Sequence, residues 1–160
     1  MDKAATYEQL LADLDAILQG ETNAILKMST INCLVQERFP DFFWVGFYCM
    51  DDGQLIVGPY QGTMGCLHIP LTKGVCGRAA RTRTTQIVDN VHADPEHVAC
   101  DSRTNSEIVV PVFDAEERLI AVFDVDSTEL ATFDTIDRKY LEQLVRHHFA
   151  VPGLAMDYRN

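Results

Sequence analysis

The chain has 160 residues, of which 47% are hydrophobic and 23% are charged, a composition typical of a soluble globular protein. That length suits one domain, and we expect a single domain over residues 1–160 with a core from about residue 7 to 149. The formal net charge of −11 argues against nucleic acid and anionic membrane surfaces as partners, because both would repel the protein. No segment approaches the ~20 apolar residues of a membrane span, and the N-terminus has no apolar stretch typical of a secretory signal. We therefore expect a cytoplasmic protein.

Helical periodicity dominates the first quarter of the chain. The run Thr6-Tyr7-Glu8-Gln9 predicts a capping box that opens a helix, and Gly20 is a suitable stop for it. Thr22 is the expected cap of a second helix, which Pro40 ends near Arg38.

Strand patterns then replace the helical ones. The sequence predicts one hairpin from Phe42–Met50 and Gln54–Tyr60, and a second from Ile108–Phe113 and Arg118–Ser127. Other expected elements are a short strand over 65–70, a helix over 74–83, a strand over 85–88, a mostly irregular stretch to residue 104, and a closing helix over about 134–149. Helices at the chain ends around a hairpin sheet indicate an α+β domain with a central, mostly antiparallel sheet. We expect the terminal helices to cover one sheet face, and the segment 66–104 to cover the other and enclose a pocket.

Three of the five cysteines have settings that ordinary packing does not require. Glycines flank Cys66 and Cys76, and Cys100 follows the polar loop Asp89–Glu96. Accessible loop sulfurs suit redox chemistry, and cytoplasmic disulfides tend to be transient and catalytic. Cys76 best fits a reactive thiolate by local electrostatics, because it opens a predicted helix three residues after Lys73. Spacing alone does not rank the three thiols.

The other two cysteines and a zinc site are weaker candidates for the chemistry of this protein. Cys33 and Cys49 are expected to be small core residues of a helix and a strand. Zinc bound by the loop cysteines with His68, His92 or His97 is an alternative. The chain lacks the C-x-x-C pairs of structural zinc sites, so we expect no metal.

Strand alternation predicts two groups of pocket residues. Asp124 and Asp126 point to the same side of an otherwise apolar strand, which favours an acidic clamp for an ammonium group. The alternative is that both carboxylates cap a turn where the strand ends. Trp44 and Tyr48 flank Gly46 on one strand face, where the glycine would leave room for a pocket floor.

Glu107 stands where a polar loop enters a strand. If partial burial raised its pKa, it could hold a proton beside a reacting oxygen. Solvent exposure or capping of a backbone amide is the alternative. His92 and His97 are equally available as acid/base groups of the loop.

Several motifs together resemble one known family. They are Tyr60-Gln61-Gly62, Gly74-Val75-Cys76-Gly77, His97-Val98-Ala99-Cys100-Asp101, Asn105-Ser106-Glu107-Ile108-Val109-Val110-Pro111 and Asp124-Val125-Asp126-Ser127. The combination resembles the free methionine-(R)-sulfoxide reductase family, a catalytic branch of the GAF-domain fold, over about residues 7–144. GAF domains in general share the fold but lack these three cysteines.

The resemblance implies a role for each matching residue. Cys100 is implied to be the nucleophile, Cys66 the resolving cysteine and Cys76 a further partner in disulfide exchange. Trp44 is implied to be an aromatic pocket wall. The acidic residues Glu107, Asp124 and Asp126 match substrate-binding and catalytic positions, and Tyr48 joins them as a substrate-binding candidate from the strand pattern.

The implied activity is reduction of free methionine-(R)-sulfoxide. Cys100 would attack the sulfoxide sulfur and become a sulfenic acid, with Glu107 as the proton donor or relay. A second thiol would then form a disulfide, which thioredoxin would reduce. No metal or organic cofactor is implied, and a homodimer is left open. The alternatives are a non-catalytic GAF sensor of a small molecule and a thiol-based redox sensor.

Overall fold

The computed structural model describes residues 2–157, so residue 1 and residues 158–160 of the expected domain lie outside the described part. The described chain folds into four α-helices, six β-strands and a short 3-10 helix. The α-helices are α1 (Lys3–Ile17), α2 (Ala24–Arg38), α3 (Gly74–Thr82) and α4 (Thr135–Phe149). The strands are β1 (Trp44–Asp51), β2 (Gln54–Gln61), β3 (His68–Pro70), β4 (Gln86–Val88), β5 (Ser106–Phe113) and β6 (Leu119–Ser127). No helix of residues 2–157 has the length and apolarity that crossing a membrane requires.

All six strands belong to one antiparallel sheet in the order β3-β2-β1-β6-β5-β4. The two predicted hairpins are present as β1–β2 and β5–β6. Pairing of β1 with β6 joins the hairpins, so residues from the first and last strands meet at the centre of the sheet. The α+β prediction is confirmed.

The two sheet faces carry separate apolar clusters. Helices α1, α2 and α4 pack on the face that presents Phe47 and Phe123, and this cluster holds the largest fully buried side chains. Helix α3 and the neighbouring loops pack on the opposite face, against Trp44, Tyr48 and Val122. This is the predicted division between helix-covered and loop-covered faces, and it leaves the pocket on the side of α3.

Both N-terminal helix caps differ from the predicted ones. Asp2 accepts a hydrogen bond from the Ala5 amide, so α1 begins at Lys3 rather than after Thr6. Asn23, not Thr22, caps α2. Asp2 and Thr6 can both cap a helix, as can Thr22 and Asn23, and the local sequence pattern does not choose between the two candidates in either case.

The prediction that Cys33 is a core residue is wrong. Cys33 is exposed, because α2 buries the stripe that includes Met28, Ile31 and Val35 and turns Cys33 outward. Cys49 is half-buried and packs against the helix-side cluster, with its sulfur 3.9 Å from Met28 Sδ. Burial raises the pKa of the Cys49 thiol to about 11.

A buried carboxylate ties the two ends of the chain together. Asp137, fully buried in the first turn of α4, accepts hydrogen bonds from the Tyr7 hydroxyl at 2.7 Å and from Lys3 Nζ at 2.7 Å. It also accepts from the Asp134 amide, which completes the capping box of α4. One side chain therefore both starts α4 and holds α1 against it.

We expect Asp137→Ala to lower the free energy of unfolding by about 1.5–3 kcal/mol, the usual contribution of a hydrogen bond to a charged group. The loss should appear as a lower urea midpoint with an unchanged m-value. Asp41→Ala, at an exposed loop carboxylate, is the matched control and should lie within ~0.5 kcal/mol of the parent. Equal effects of the two substitutions would contradict a structural role for the buried carboxylate.

Candidate active site

Strand register brings the predicted acidic and aromatic residues together. Glu107 on β5 pairs with Asp126 on β6, and Asp126 pairs with Trp44 on β1. In the next row on the same face, Asp124 pairs with Gly46. Directly paired residues of an antiparallel sheet point to the same side. Three carboxyl side chains and an indole therefore share one face of three central strands.

The carboxyl groups are buried and incompletely paired. Asp124 and Glu107 are each 5% exposed, and one oxygen of each of Glu107, Asp124 and Asp126 has no hydrogen-bond partner. Asp124 and Asp126 therefore do not merely cap a turn at a strand end, and the strand continues to Ser127. Burial raises the pKa of Asp124 well above its ordinary value, and the neighbouring Asp126 and Glu107 raise it further. Burial and then Glu107 raise the pKa of Asp126 in the same way.

Glu107 is neither exposed nor a simple cap. It lies within β5, and its Oε2 is 3.7 Å from His97 Nδ1. Glu107, Asp124 and Asp126 together form the acidic face of the sheet. The loop that carries His97 therefore reaches this acidic face. His92 is not among the pocket-lining residues; its ring nitrogen instead lies 2.8 Å from Asn105 Oδ1.

Aromatic rings form the wall beside the carboxylates. The Trp44 indole stacks between Tyr48 and Tyr60, with ring centroids 5.6 and 5.0 Å apart. A Cβ on Gly46 would lie 2.6 Å from the Trp44 ring and 2.3 Å from Tyr60 Cβ. The space above Gly46 is thus filled by the indole, rather than left open as a pocket floor. Burial, and next the charge of Asp124, raise the pKa of the Tyr48 hydroxyl far above its ordinary value.

Two loops close over this wall. Trp44 Nε1 donates a hydrogen bond of 2.8 Å to the Thr63 carbonyl oxygen, and Gly65 approaches Trp44 and Tyr48 too closely for a side chain. The Thr63 hydroxyl donates to Asp101 Oδ2 at 2.7 Å. The indole therefore fixes the loop of Cys66, and that loop in turn contacts the loop of Cys100.

Cys66 and Cys100 are joined by a disulfide, with their Cα atoms 5.4 Å apart. Cys66 is half-buried and Cys100 is exposed. Cys100 lines the pocket together with its neighbours Val98 and Asp101, whereas Cys66 does not line it. The two loop sulfurs that the motifs identified are thus in bonding contact above the acidic face.

Cys76 has a different environment from the one predicted. It lies in the first turn of α3 but is 4% exposed, and its sulfur lies within 4.8 Å of carboxylate oxygens of Glu107 and Asp124. Burial raises the pKa of the Cys76 thiol well above its ordinary value, and the carboxylates add to the effect. The expectation of an accessible, reactive thiolate at Cys76 is therefore wrong.

Three hydrogen-bonded contacts around the cysteine loops were not predicted from the sequence. Thr63 and Asp101 connect the two cysteine loops, and Arg103 holds Asp101 through two hydrogen bonds of 3.0 and 2.7 Å. Thr104, which is buried, directs its hydroxyl to Asp126 Oδ2 at 3.4 Å. The adjacent motif residues marked these loops, but no sequence pattern identified the partners across them.

The chain is similar to one protein family and to several individual proteins along most of its length. The GAF-domain family model matches residues 34–148. The free methionine-R-sulfoxide reductase of Saccharomyces cerevisiae is 37% identical over 153 residues, covering 91% of this chain and 85% of that protein. The structure of the Neisseria meningitidis free methionine-R-sulfoxide reductase in complex with its substrate is 40% identical, with a TM-score of 0.87 over 91% of this chain and 87% of that one. A Burkholderia vietnamiensis structure described as a GAF sensor protein is 43% identical, with a TM-score of 0.88 over 93% and 96% of the chains.

The single sheet between terminal helices and a loop-covered pocket is that of a GAF domain, and the chain belongs to the GAF-domain class. Within that class, the paired loop cysteines and the two near full-length relatives define it further. It is a member of the free methionine-R-sulfoxide reductase family.

We expect the acidic face to lower the stability of the ligand-free protein as the pH rises. Because the pKa of Asp124 is raised in the native state, its contribution is complete below the ordinary carboxyl pKa and is lost as the pH rises through the raised pKa. Asp124→Asn removes this loss. Relative to the parent, the variant should therefore gain up to about 1.4 kcal/mol per pH unit above about pH 4.

Denaturant unfolding of both proteins from pH 4 to 8 measures this slope. Asp114→Asn in the same hairpin is the matched control. Burial alone would raise the pKa of Asp114, but hydrogen bonds from Arg118 lower it overall. The lowered pKa lies below this pH range, so the Asp114→Asn difference in unfolding free energy should stay nearly constant from pH 4 to 8. If the difference in unfolding free energy between Asp124→Asn and the parent did not change with pH, Asp124 would not be a buried carboxylate without a counterion.

Proposed function

We propose that this protein reduces free methionine-(R)-sulfoxide to methionine by a cysteine sulfenic acid and an intramolecular disulfide, and that thioredoxin restores the thiols. One observation carries the proposal: a closed Cys66–Cys100 disulfide stands over a pocket with a buried acidic face and an aromatic wall. The activity of the relatives named above supports the same reaction.

Two acidic residues suit the ammonium group of a free amino acid. Asp124 and Asp126 each keep a buried oxygen without a hydrogen-bond partner, and like charges so close need a counterion. An ammonium group would satisfy these oxygens and neutralise the charge. A methionine sulfoxide residue within a protein chain lacks that ammonium, because its nitrogen belongs to a peptide bond. This contrast supports the free amino acid as the substrate.

Cys100 is the proposed nucleophile, because it lines the pocket in which the sulfoxide would bind. Its thiolate attacks the sulfoxide sulfur while the sulfoxide oxygen takes a proton from Glu107. The hydroxyl oxygen then passes from the substrate sulfur to the Cys100 sulfur as the new sulfur–sulfur bond and the substrate sulfur–oxygen bond break, so methionine leaves and Cys100 becomes a sulfenic acid. The cysteine sulfur supplies the two electrons. His97, 3.7 Å from Glu107, is the proposed relay that returns a proton to the carboxylate.

Cys66 is the proposed resolving cysteine. Its thiolate attacks the sulfur of the Cys100 sulfenic acid, the hydroxyl group takes a proton from solvent and leaves as water, and the disulfide forms. A dithiol protein then reduces this disulfide by exchange and is itself oxidised. Met64 and Leu67, beside Cys66, are 77% and 60% exposed, and such apolar surface next to a disulfide suits contact with thioredoxin.

Cys76 is proposed only as a late partner in disulfide exchange. Its raised pKa makes it a poor nucleophile, since the thiolate is the reactive form. In the resting protein, its thiol forms part of the pocket wall.

The cysteines should differ in the step at which each is needed. Without reductant, Cys100→Ser should release no methionine, because a serine hydroxyl is far less ionised and nucleophilic at neutral pH. Cys66→Ser should release close to one equivalent and then stop, leaving a sulfenic acid that a dimedone-type trap and mass spectrometry detect. Cys76→Ser should keep most of the cycle, and the exposed Cys33→Ser serves as the control. A full first turnover by Cys100→Ser would reverse the assignment of nucleophile and resolving cysteine.

The acidic face should select for a free amino group. We expect the parent to turn over methionine-(R)-sulfoxide at least about tenfold better, in kcat/KM, than its N-acetyl derivative. The reason is that a hydrogen bond to a charged group contributes about 1.5–3 kcal/mol. Asp126→Asn should lose most of this preference, whereas Asp51→Asn, at an exposed strand end, should retain it. Equal turnover of the two substrates by the parent would exclude the ammonium site. Failure to consume either sulfoxide would instead favour a sensor role.

A further inference from the structure

A second cluster of potential ligand atoms lies away from the pocket, on the helix-covered side of the sheet. Near the end of α4, His147 and His148 both direct Nε2 towards Oδ1 of Asp15, which is near the end of α1. The distances to that oxygen are 3.1 Å from His147 and 3.4 Å from His148. The three ligand atoms all lie within 4.8 Å of one another. Neither the methionine sulfoxide chemistry nor the disulfide uses any of these residues.

The two nitrogen–oxygen distances are close to those around a small tetrahedral ion. Zinc binds imidazole nitrogen and carboxylate oxygen at about 2.0–2.2 Å, which puts adjacent ligand atoms of a tetrahedron about 3.3–3.6 Å apart. Two imidazoles with one carboxylate are also a ligand set that zinc accepts, with an open position left for water. The His147 and His148 rings are nearly perpendicular, at 89°, so both nitrogens reach the same point without stacking of the rings.

His148 provides an independent reason to expect a ligand. Its side chain is 5% exposed, and its buried Nε2 makes no hydrogen bond within the described protein. A buried polar atom without a partner is unfavourable. Lys27 donates to the main-chain carbonyl of His148 at 2.6 Å rather than to the ring, so it does not satisfy Nε2.

We propose that Asp15, His147 and His148 form a three-ligand site for Zn²⁺ that joins the end of α1 to the end of α4. His148 is the buried, preformed ligand, and Asp15 and His147, which are 51% and 61% exposed, complete the site from the surface. The fourth position is open to water. Binding at this site favours the folded state, because the unfolded chain does not hold the two helix ends together.

Calorimetric titration with zinc chloride tests the proposal on the full chain. The protein is kept in the disulfide form, so that Cys66 and Cys100 offer no thiolate, and carries Cys33→Ser to remove the exposed thiol. We expect one equivalent of Zn²⁺ to bind and to raise the Tm. Co²⁺ at the same site should give the intense visible absorption of tetrahedral coordination.

His147→Ala and Asp15→Asn should each weaken Zn²⁺ binding by about tenfold or more, since even outer-shell partners of a metal ligand contribute about 10–100-fold. Both positions are exposed, so neither variant should disturb folding. His68→Ala, at an exposed histidine of β3, is the matched control and should bind like the parent. The proposal is overturned if the parent binds no Zn²⁺, or if both variants bind as the parent does. It is equally overturned if Cys76→Ser, in the acidic face of the pocket, is the substitution that abolishes binding.

Discussion

The burial of three carboxyl groups on one face of the sheet is the constraint on which the pocket depends. Isolated buried carboxylates are strongly disfavoured, and such groups hold a proton or acquire a counterion. Here burial, together with the neighbouring carboxyl groups, raises the pKa values of Asp124 and Asp126 well above their ordinary range. In the proposed complex a substrate ammonium would supply the counterion, so the electrostatic strain among the three carboxyl groups would become affinity and selectivity for a cationic group.

The sheet tolerates this strain because its other face is apolar and well anchored. Phe47 and Phe123 stack at the centre of the helix-side cluster, with ring centroids 4.5 Å apart, directly behind the strands that carry the acidic groups. Asp137 then fixes α1 to α4 across that cluster. One side of the sheet supplies stability, so the other side can hold groups that oppose folding, as is common at functional sites.

How far the sequence predicts the site depends on the range of the interactions involved. Period-two alternation is local, and it correctly placed Asp124 and Asp126 on one face of their strand and Trp44 and Tyr48 on one face of theirs. The pairing of β1 with β6, which puts these two faces on the same side of the sheet, is not a local pattern. The hairpins and the order of helices also follow from local pattern. The exposure of Cys33 and the burial of Cys76 depend on which helical face meets the sheet, and a mixed helix does not reveal that. Contacts between loops, such as Thr63 with Asp101, are set only by the finished fold.

The environment of Cys76 explains why the proposed nucleophile lies on a loop. A thiol on the pocket floor is next to the groups that would bind the substrate ammonium, and those same carboxylates raise its pKa. Acidic recognition of an amino group and thiolate formation therefore oppose each other at one position. A cysteine on the covering loop can reach the sulfoxide end of the substrate while it stands farther from the acidic face. Cys100 lies on such a loop and lines the pocket, and its loop is held there through Asp101, Thr63 and the Trp44 indole. In the proposed mechanism, the strand-borne carboxylates would bind the substrate and the loop-borne sulfurs would transfer electrons, because the electrostatics of one role would suppress the other.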